Sequence, residues 1–389
     1  MRIAWVCPYL PAPENSGGRI RISSLVRAFA QDELHLYARF AEDDPPRDEI
    51  RPEKLPPWRS IHGSCARWPR FTRPITPLLP LSFPREVLDL LGEDDSRHPF
   101  DAVIVEHCYS AHWLPRLRRA AVVLSEHNVE SEYFRKAVRS RPRQALKNAL
   151  EFLRWRRYEA KIWRRADAIT VVSERDRNRV HGVRPDSGIV VPNGVAIERY
   201  RFIPASRRSG NAILFVGLLS YQPNVDAAKL LATEVLPLVR RRIPDATLTI
   251  AGRDPLSNVR ALESPSVRIT GTVPNIAALY DEHADFANPG TVGGGSSLTV
   301  LEALATGLPL VCSPFAARGY GLESERHYIS ASSPREVAGA LCRVLERRSE
   351  LDGLAERGRR IAEAHAWNEL AERFHGVVRG AVEARRTRS

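Results

Sequence analysis

An α/β protein of two domains is what this sequence predicts, and three observations carry that prediction. Short apolar strands alternate with longer helical patterns along almost the whole chain. The strands are β-branched, continuous and unalternated, as parallel strands buried on both faces are. At 389 residues, the chain is also too long for one ordinary hydrophobic core. Strand–helix repetition builds open sheets through right-handed crossovers, and such sheets bind ligands at the carboxyl ends of their strands.

In chain order, the predicted strands are RIAWVC (2–7), ELHLYA (33–38), DAVIVE (101–106), AAVVLSE (120–126) and DAITVVS (167–173). A break follows at 190–210, VVPNGVAIERYRFIPASRRSG, punctuated by proline, asparagine and glycine. The strand pattern restarts with NAILFVG (211–217), ATLTIAG (246–252), VRITG (267–271), ADFANP (284–289) and LPLVCS (308–313). The predicted domains are 1–195 and 196–365, with a terminal helix over 366–389 and a cleft between the domains as a favoured pocket position. Residues 51–87, rich in proline, tryptophan and arginine, read as an irregular loop or a plain connector.

Composition narrows the function classes. With 43% hydrophobic and 27% charged residues, the chain fits a folded soluble protein. No apolar run approaches the roughly 20 residues of a spanning helix. MRIAWVCPYLP reads as a first buried strand, without a signal peptide's cleavage region. Five cysteines with no CxxC pair argue against a disulfide frame or zinc site and suit a reducing cytoplasm. The net charge of +12 fits nucleic acid, an anionic membrane or anionic substrates, or equally an arginine-rich genome. Residues 135–165 hold twelve Lys/Arg against two glutamates, with Leu146, Leu150, Leu153, Tyr158 and Ile162 near helical spacing and Trp155 and Trp163 close by. They read as a solvated basic helix face or as a docking surface for acidic lipid or another anionic partner.

The motifs exclude more. The loop after the first strand lacks GxGxxG, which counts against a dinucleotide enzyme, and no GxxxxGK[ST], HExxH or GxSxG occurs. The EDD runs at 42–44 and 93–95 are read as polar loops, weak support for a metal site. VGGGSSLTVLEALATGLPLV (292–311) is more specific. Gly293, Gly294 and Gly295 let backbone approach a ligand, and Ser296 and Ser297 open a helix whose free N–H groups suit a diphosphate. Glu302, six residues after Ser296, leans back towards that end and suits a ribose diol.

These segments, taken in order, resemble the GT-B glycosyltransferases, in particular the retaining group that uses nucleotide-sugar donors. The resemblance covers nearly the whole chain. It runs through PxPENSGGRIR, SEHNVES (125–131), RRADAITVVSERD (164–176), VVPNGV (190–195) and ILFVGLLSYQPNVDA (213–227). It continues through LTIAGRDP (248–255), VRITGTVPNIAALY (267–280), GGGSSLTVLEALATGLPLV and AWNELAERF (366–374). It implies two facing Rossmann-like domains, the first for the acceptor and the second for the nucleotide sugar, with the terminal helix crossing back to the first. Gly17, Gly18 and Arg19 match the acceptor and phosphate loop, and His127 a histidine close to the transferred sugar. Gly217 matches a glycine near the diphosphate, Thr272 and Val273 the strand end that reads the base, and Glu302 the ribose carboxylate. Gly294, Gly295, Ser296, Ser297, Leu298 and Arg253 complete the implied donor site. The family needs neither metal nor cofactor, the nucleoside-diphosphate sugar being a co-substrate. The implied acceptor class is open among small molecule, glycan, lipid-linked carrier and peptide. Nucleic acid is not an expected partner, and the expected place is the cytoplasm, with membrane periphery as an option.

The sequence departs from the family where relatives carry charge. LLSYQPN follows Gly217 without a cation, and Thr291, Gly294, Ser297 and Thr299 stand at places that are often charged. A diphosphate buried without cations is costly. Arg19, Arg21, Arg253 and Arg318 are the nearest substitutes by motif position. Backbone N–H groups and hydroxyls are a second solution. The third is a catalytically silent module that partners an active transferase.

Overall fold

The computed structural model describes residues 1–12, 14, 16–40, 58–65, 77, 83–112, 114–115, 117, 119–140, 142–292 and 296–388. The chain divides into two compact units, Met1–Pro192 with Asn368–Ser389, and Asn193–Trp367.

The first unit holds β1 (Arg2–Cys7), β2 (Glu33–Phe40), β3 (Trp58–Cys65), β4 (Ala102–Glu106), β5 (Ala121–Glu126), β6 (Ala168–Val171) and β7 (Ile189–Val190). They form one parallel sheet in the order β3-β2-β1-β4-β5-β6-β7. Its helices include α1 (Gly17–Leu25), α2 (Arg85–Arg97), α3 (Glu130–Ser140), α4 (Ala145–Trp163) and α5 (Glu174–His181). Ile3–Cys7 of β1 and all of β4 are buried, as the apolar runs IAWVC and AVIV require.

Two expectations need correction here. Within the presumed loop 51–87, Trp58–Cys65 is a strand paired with β2. It ends the sheet, and an edge strand tolerates the polar residues that hid it. α2 also takes in the last three residues of that stretch, 85–87, while 51–57, 66–76 and 78–82 lie outside the described residues, as does the 42–44 EDD run. The second EDD run sits in α2, not in a loop. Asp94 accepts from the Tyr37 hydroxyl at 2.6 Å, and Asp95 from the Phe100 backbone N–H at 3.0 Å.

The second unit holds β8 (Ala212–Val216), β9 (Thr247–Ala251), β10 (Val267–Gly271), β11 (Asp285–Asn288), β12 (Leu310–Cys312) and β13 (Ile329–Ser330). These are parallel in the order β10-β9-β8-β11-β12-β13. Its helices are α6 (Gln222–Leu230), α7 (Leu236–Arg240), α8 (Ser257–Arg260), α9 (Ile276–Glu282), α10 (Leu298–Thr306), α11 (Pro334–Glu346) and α12 (Asp352–Glu363). Ser333 and Glu336 close α11 with a reciprocal capping box.

In each sheet the chain walks outward for three strands and then returns to the far side of the first. The reversals fall between β1 and β4 and between β8 and β11. Crevices at such reversals are where open α/β sheets bind ligands. The last helix, α13 (Trp367–Arg386), packs on the first unit. Phe374 lies 5.9 Å from Trp5 and 6.0 Å from Phe29, ring to ring, and His375 Nε2 is 2.9 Å from Asp32. Cys7, Cys108, Cys312 and Cys342 are buried free thiols.

Candidate functional site

In the second unit, the strand ends at the reversal are laced together through backbone. Gly217 N–H donates to Ala251 O at 3.0 Å, Gly252 N–H to Gly271 O at 3.1 Å and Leu219 N–H to Arg253 O at 3.0 Å. A Cβ on Gly252, whose φ is +148°, would lie 1.7 Å from the Gly217 carbonyl oxygen. Only glycine permits that approach. A Cβ on Gly217 would press on the Asn224 amide at 2.7 Å. β10 ends at Gly271 with φ +65°, and the chain then passes through exposed Thr272 and half-buried Val273.

Across the reversal stands α10. Leu298 is its first residue, with Ser297 as N-cap in extended conformation. The Ser297 hydroxyl does not cap the helix but pairs with Thr299 Oγ1 at 3.0 Å. Buried Ser296 receives the Asn193 amide on both its carbonyl and its hydroxyl, each at 3.2 Å. Gly293, Gly294 and Gly295 lie outside the described residues.

Glu302, one turn into α10, accepts from the Tyr280 hydroxyl at 2.8 Å and from the Tyr200 hydroxyl. The two tyrosine rings meet edge to face at 5.9 Å. Burial pushes the Glu302 carboxyl above its ordinary range, and the two phenol bonds only partly oppose that. The two phenols leave carboxylate lone pairs that can accept a vicinal diol. The tyrosines escape a sequence reading because they reach Glu302 from 22 and 102 residues away.

The first unit gathers a second group at its own reversal. Glu106 ends β4 and is completely buried. It accepts from the Trp5 indole at 2.8 Å, and its other oxygen lies 2.7 Å from His127 Nε2. Burial raises the Glu106 carboxyl, but the His127 bond and charge and the Arg21 charge outweigh it, so it lies below the ordinary range. Burial lowers His127, against the pull of Glu106. A neutral imidazole beside an ionised Glu106 carries its proton on Nε2, which leaves Nδ1 as an acceptor. The dyad joins residues 21 positions apart, and the local motif SEHNVES that points to His127 carries no signal for Glu106.

His107 adds a strained element at this place. It takes φ +61°, rare for a side-chain-bearing residue, and its ring lies 4.1 Å from His127 and 4.7 Å from Tyr109. Gly17 and Gly18 open α1, and a Cβ on Gly18 would lie 1.8 Å from the Tyr9 hydroxyl.

The four arginines divide. Arg19 is buried and donates to Ala12 O at 2.6 Å, and fully buried Arg21 donates to Pro192 O and Val191 O at 2.9 Å each. Both guanidiniums thus hold backbone of the first unit. Arg318 donates to Phe315 O at 2.7 Å and lies over the Phe315 ring. Arg253 follows β9 directly. Its Nε is buried without a hydrogen-bond partner and stands 3.6 Å from Asp254.

Comparison with known proteins places this geometry. Residues 16–194 match the family profile described as glycosyl transferase 4-like domain, and residues 210–347 match glycosyl transferases group 1. A glycogen synthase of Mycobacterium tuberculosis is 34% identical over 185 residues, 45% of this chain and 42% of that protein. The GDP-mannose-dependent alpha-(1-6)-phosphatidylinositol monomannoside mannosyltransferase of the same organism is 29% identical over 251 residues, 56% of this chain and 63% of that one. The chain thus spans less than two thirds of the length of either relative. Among solved structures, sucrose-phosphate synthase from Thermosynechococcus elongatus shares the fold with a TM-score of 0.76, at 17% identity over 98% of this chain and 99% of that one. WaaG, a glycosyltransferase involved in lipopolysaccharide biosynthesis, gives 0.68 at 15% identity over 97% and 99%. Anabaena HepE in complex with UDP gives 0.67 at 13% identity over 98% and 100%. With both units matched by glycosyl transferase profiles and both sheets built as in these structures, the chain belongs to the GT-B glycosyltransferases of group 1.

Proposed function

We propose that this protein transfers a hexosyl group from a nucleoside-diphosphate sugar to an acceptor hydroxyl, with retention of configuration and without a metal ion. The C1–O bond to the diphosphate breaks, a C1–O bond to the acceptor forms, and the acceptor proton leaves with the diphosphate. Glu302 carries the reading. It is a carboxylate preorganised by two phenols on the first turns of α10, at the reversal of a parallel sheet. It would accept both ribose hydroxyls, with the base against the backbone of Thr272 and Val273. The diphosphate would meet Gly217, Gly294, Gly295 and the N–H groups of Ser296, Ser297 and Leu298, with Arg253 as its cation. The unsatisfied Arg253 Nε supports that last role.

The acceptor would sit on the first unit, near Gly17, Gly18 and Arg19, and His127 Nδ1 would accept a hydrogen bond from a hydroxyl of the acceptor or the transferred sugar. Glu106 and Glu126 are buried and already hydrogen-bonded, so neither is placed as a nucleophile for double displacement. That favours front-face displacement assisted by the leaving phosphate. The named relatives act on a glucan and on a lipid-linked mannoside, so glycan and lipid-linked acceptors head the list to be tried.

A silent partner module is the second reading, favoured by uncharged Thr291, Gly294, Ser297 and Thr299 before and at the start of α10. Isothermal titration with UDP, GDP and ADP separates the two. Binding of one nucleoside diphosphate with micromolar affinity is the expected result, and absence of binding at millimolar nucleotide would overturn the enzyme reading.

A further inference from the structure

α4 buries one face in the first unit through Asn148, Trp155, Tyr158, Glu159, Ile162 and Trp163. Its opposite face is unusual. Leu146, Leu150 and Leu153, at i, i+4 and i+7, are 77%, 49% and 46% exposed. They are three of the seven large hydrophobic side chains exposed among the described residues. Helical spacing places Arg157, Lys161 and Arg164 along the same stripe, one to three turns further on. These three are exposed, and among the described residues none is paired with a carboxylate. Exposed Lys147 and Arg156 flank the stripe. The helix's two acids are elsewhere: Glu151 pairs with Arg154 at 2.6 Å, and Glu159 is buried on Ser131.

We infer that this face of α4 is a docking surface for an anionic phospholipid bilayer, with the leucines entering the acyl boundary and the cations lying among the phosphates. Its N-terminal half is apolar and its C-terminal half cationic, without an acid between. That is the composition of a helix lying in a membrane interface. A second copy fits poorly. Antiparallel pairing would lay leucines on the partner's cations, and parallel pairing would set cations on cations. The inference rests on the surface alone and stands apart from the proposed transfer reaction.

The test is co-sedimentation of the full chain with vesicles of phosphatidylcholine, and with vesicles of equal parts phosphatidylcholine and phosphatidylglycerol. Binding is expected to the mixed vesicles only, and to weaken as salt rises. Each cation near such a surface contributes about fivefold in partitioning, so R157E/K161E/R164E should reduce it by about a hundredfold or more. L146S/L150S/L153S should reduce it by at least about tenfold. All six side chains face solvent, so both variants should keep the wild-type melting temperature. Binding to neither vesicle, or equal binding of both variants and wild type, would overturn the inference. So would a wild-type dimer that the leucine variant converts to monomer, because a second copy would then cover the face. None of these outcomes depends on nucleotide or turnover.

Discussion

Replacing Glu302 with alanine probes the donor site most directly. The carboxylate holds two phenol hydroxyls, Tyr280 at 2.8 Å and Tyr200, and in the proposed complex it also holds two ribose hydroxyls. A hydrogen bond to a charged group contributes about 1.5–3 kcal/mol. Two of them at the lower figure are worth about 3 kcal/mol, on the order of a hundredfold in Kd. The substitution also orphans the phenols, each at a cost of about 1–3 kcal/mol, although Tyr280 keeps a weak alternative in Thr299 O at 3.4 Å. Removal of a carboxylate that burial already disfavours offsets part of that. Glu302→Gln is the control, because its amide oxygen still serves one phenol while the charge is gone. Isothermal titration of both variants with the nucleotide that wild type binds, beside their melting curves, gives the answer. An unchanged Kd in a cooperatively melting Glu302→Ala protein would refute the ribose assignment.

Three further predictions follow from other parts of the molecule. His127→Ala should lower turnover by about a hundredfold or more while nucleotide affinity stays constant; steady-state kinetics with titration in parallel checks both, and wild-type turnover would remove His127 from the reaction. Gly252→Ala places a methyl 1.7 Å from the Gly217 carbonyl at φ +148°, so the strand ends must part. Destabilisation of about 1–3 kcal/mol or more and weaker nucleotide binding are expected from denaturant melts and titration. A buried carboxyl cluster in the first unit should contribute less to stability as pH rises. Burial first, and then the neighbouring carboxyls, raise Glu126 and Glu130 to about 8 and Glu159 to about 7 from an ordinary 4.5. A carboxyl raised by folding stabilises fully below its unfolded value and loses that contribution as pH climbs through the folded one. The cluster's contribution should therefore decline across pH 4.5 to about 8, so Glu159→Gln should lose less stability than wild type over that range; a variant whose melting temperature follows pH as wild type's does would count against the cluster.

Much of the fold was legible because parallel strands buried on both faces must be apolar throughout. All ten apolar runs named from the sequence contain a strand. The three unforeseen strands, β3, β7 and β13, are short or polar and lie at or near sheet edges, where burial does not dictate composition. The misplaced acids of α2 show the same limit. Asp94 and Asp95 look like loop residues until Tyr37 and Phe100 supply their partners.

The site divides in a similar way. Gly217, Ser296, Ser297 and Glu302 could be named because each belongs to a local strand-end or helix-start pattern, and local patterns are written in neighbouring residues. Tyr200, Tyr280 and Gly252 around the carboxylate and strand ends, and Glu106 behind His127, could not. Their roles arise from contacts across tens of residues of chain. The arginines make the point most sharply. Sequence offered Arg19, Arg21, Arg253 and Arg318 together as cations for the diphosphate, since charge and motif position are all that it records. Packing separated them, fastening the terminal nitrogens of Arg19 and Arg21 to backbone carbonyls and leaving Arg253 beside Asp254 at 3.6 Å, because a guanidinium's role is decided by the acceptors that folding brings close.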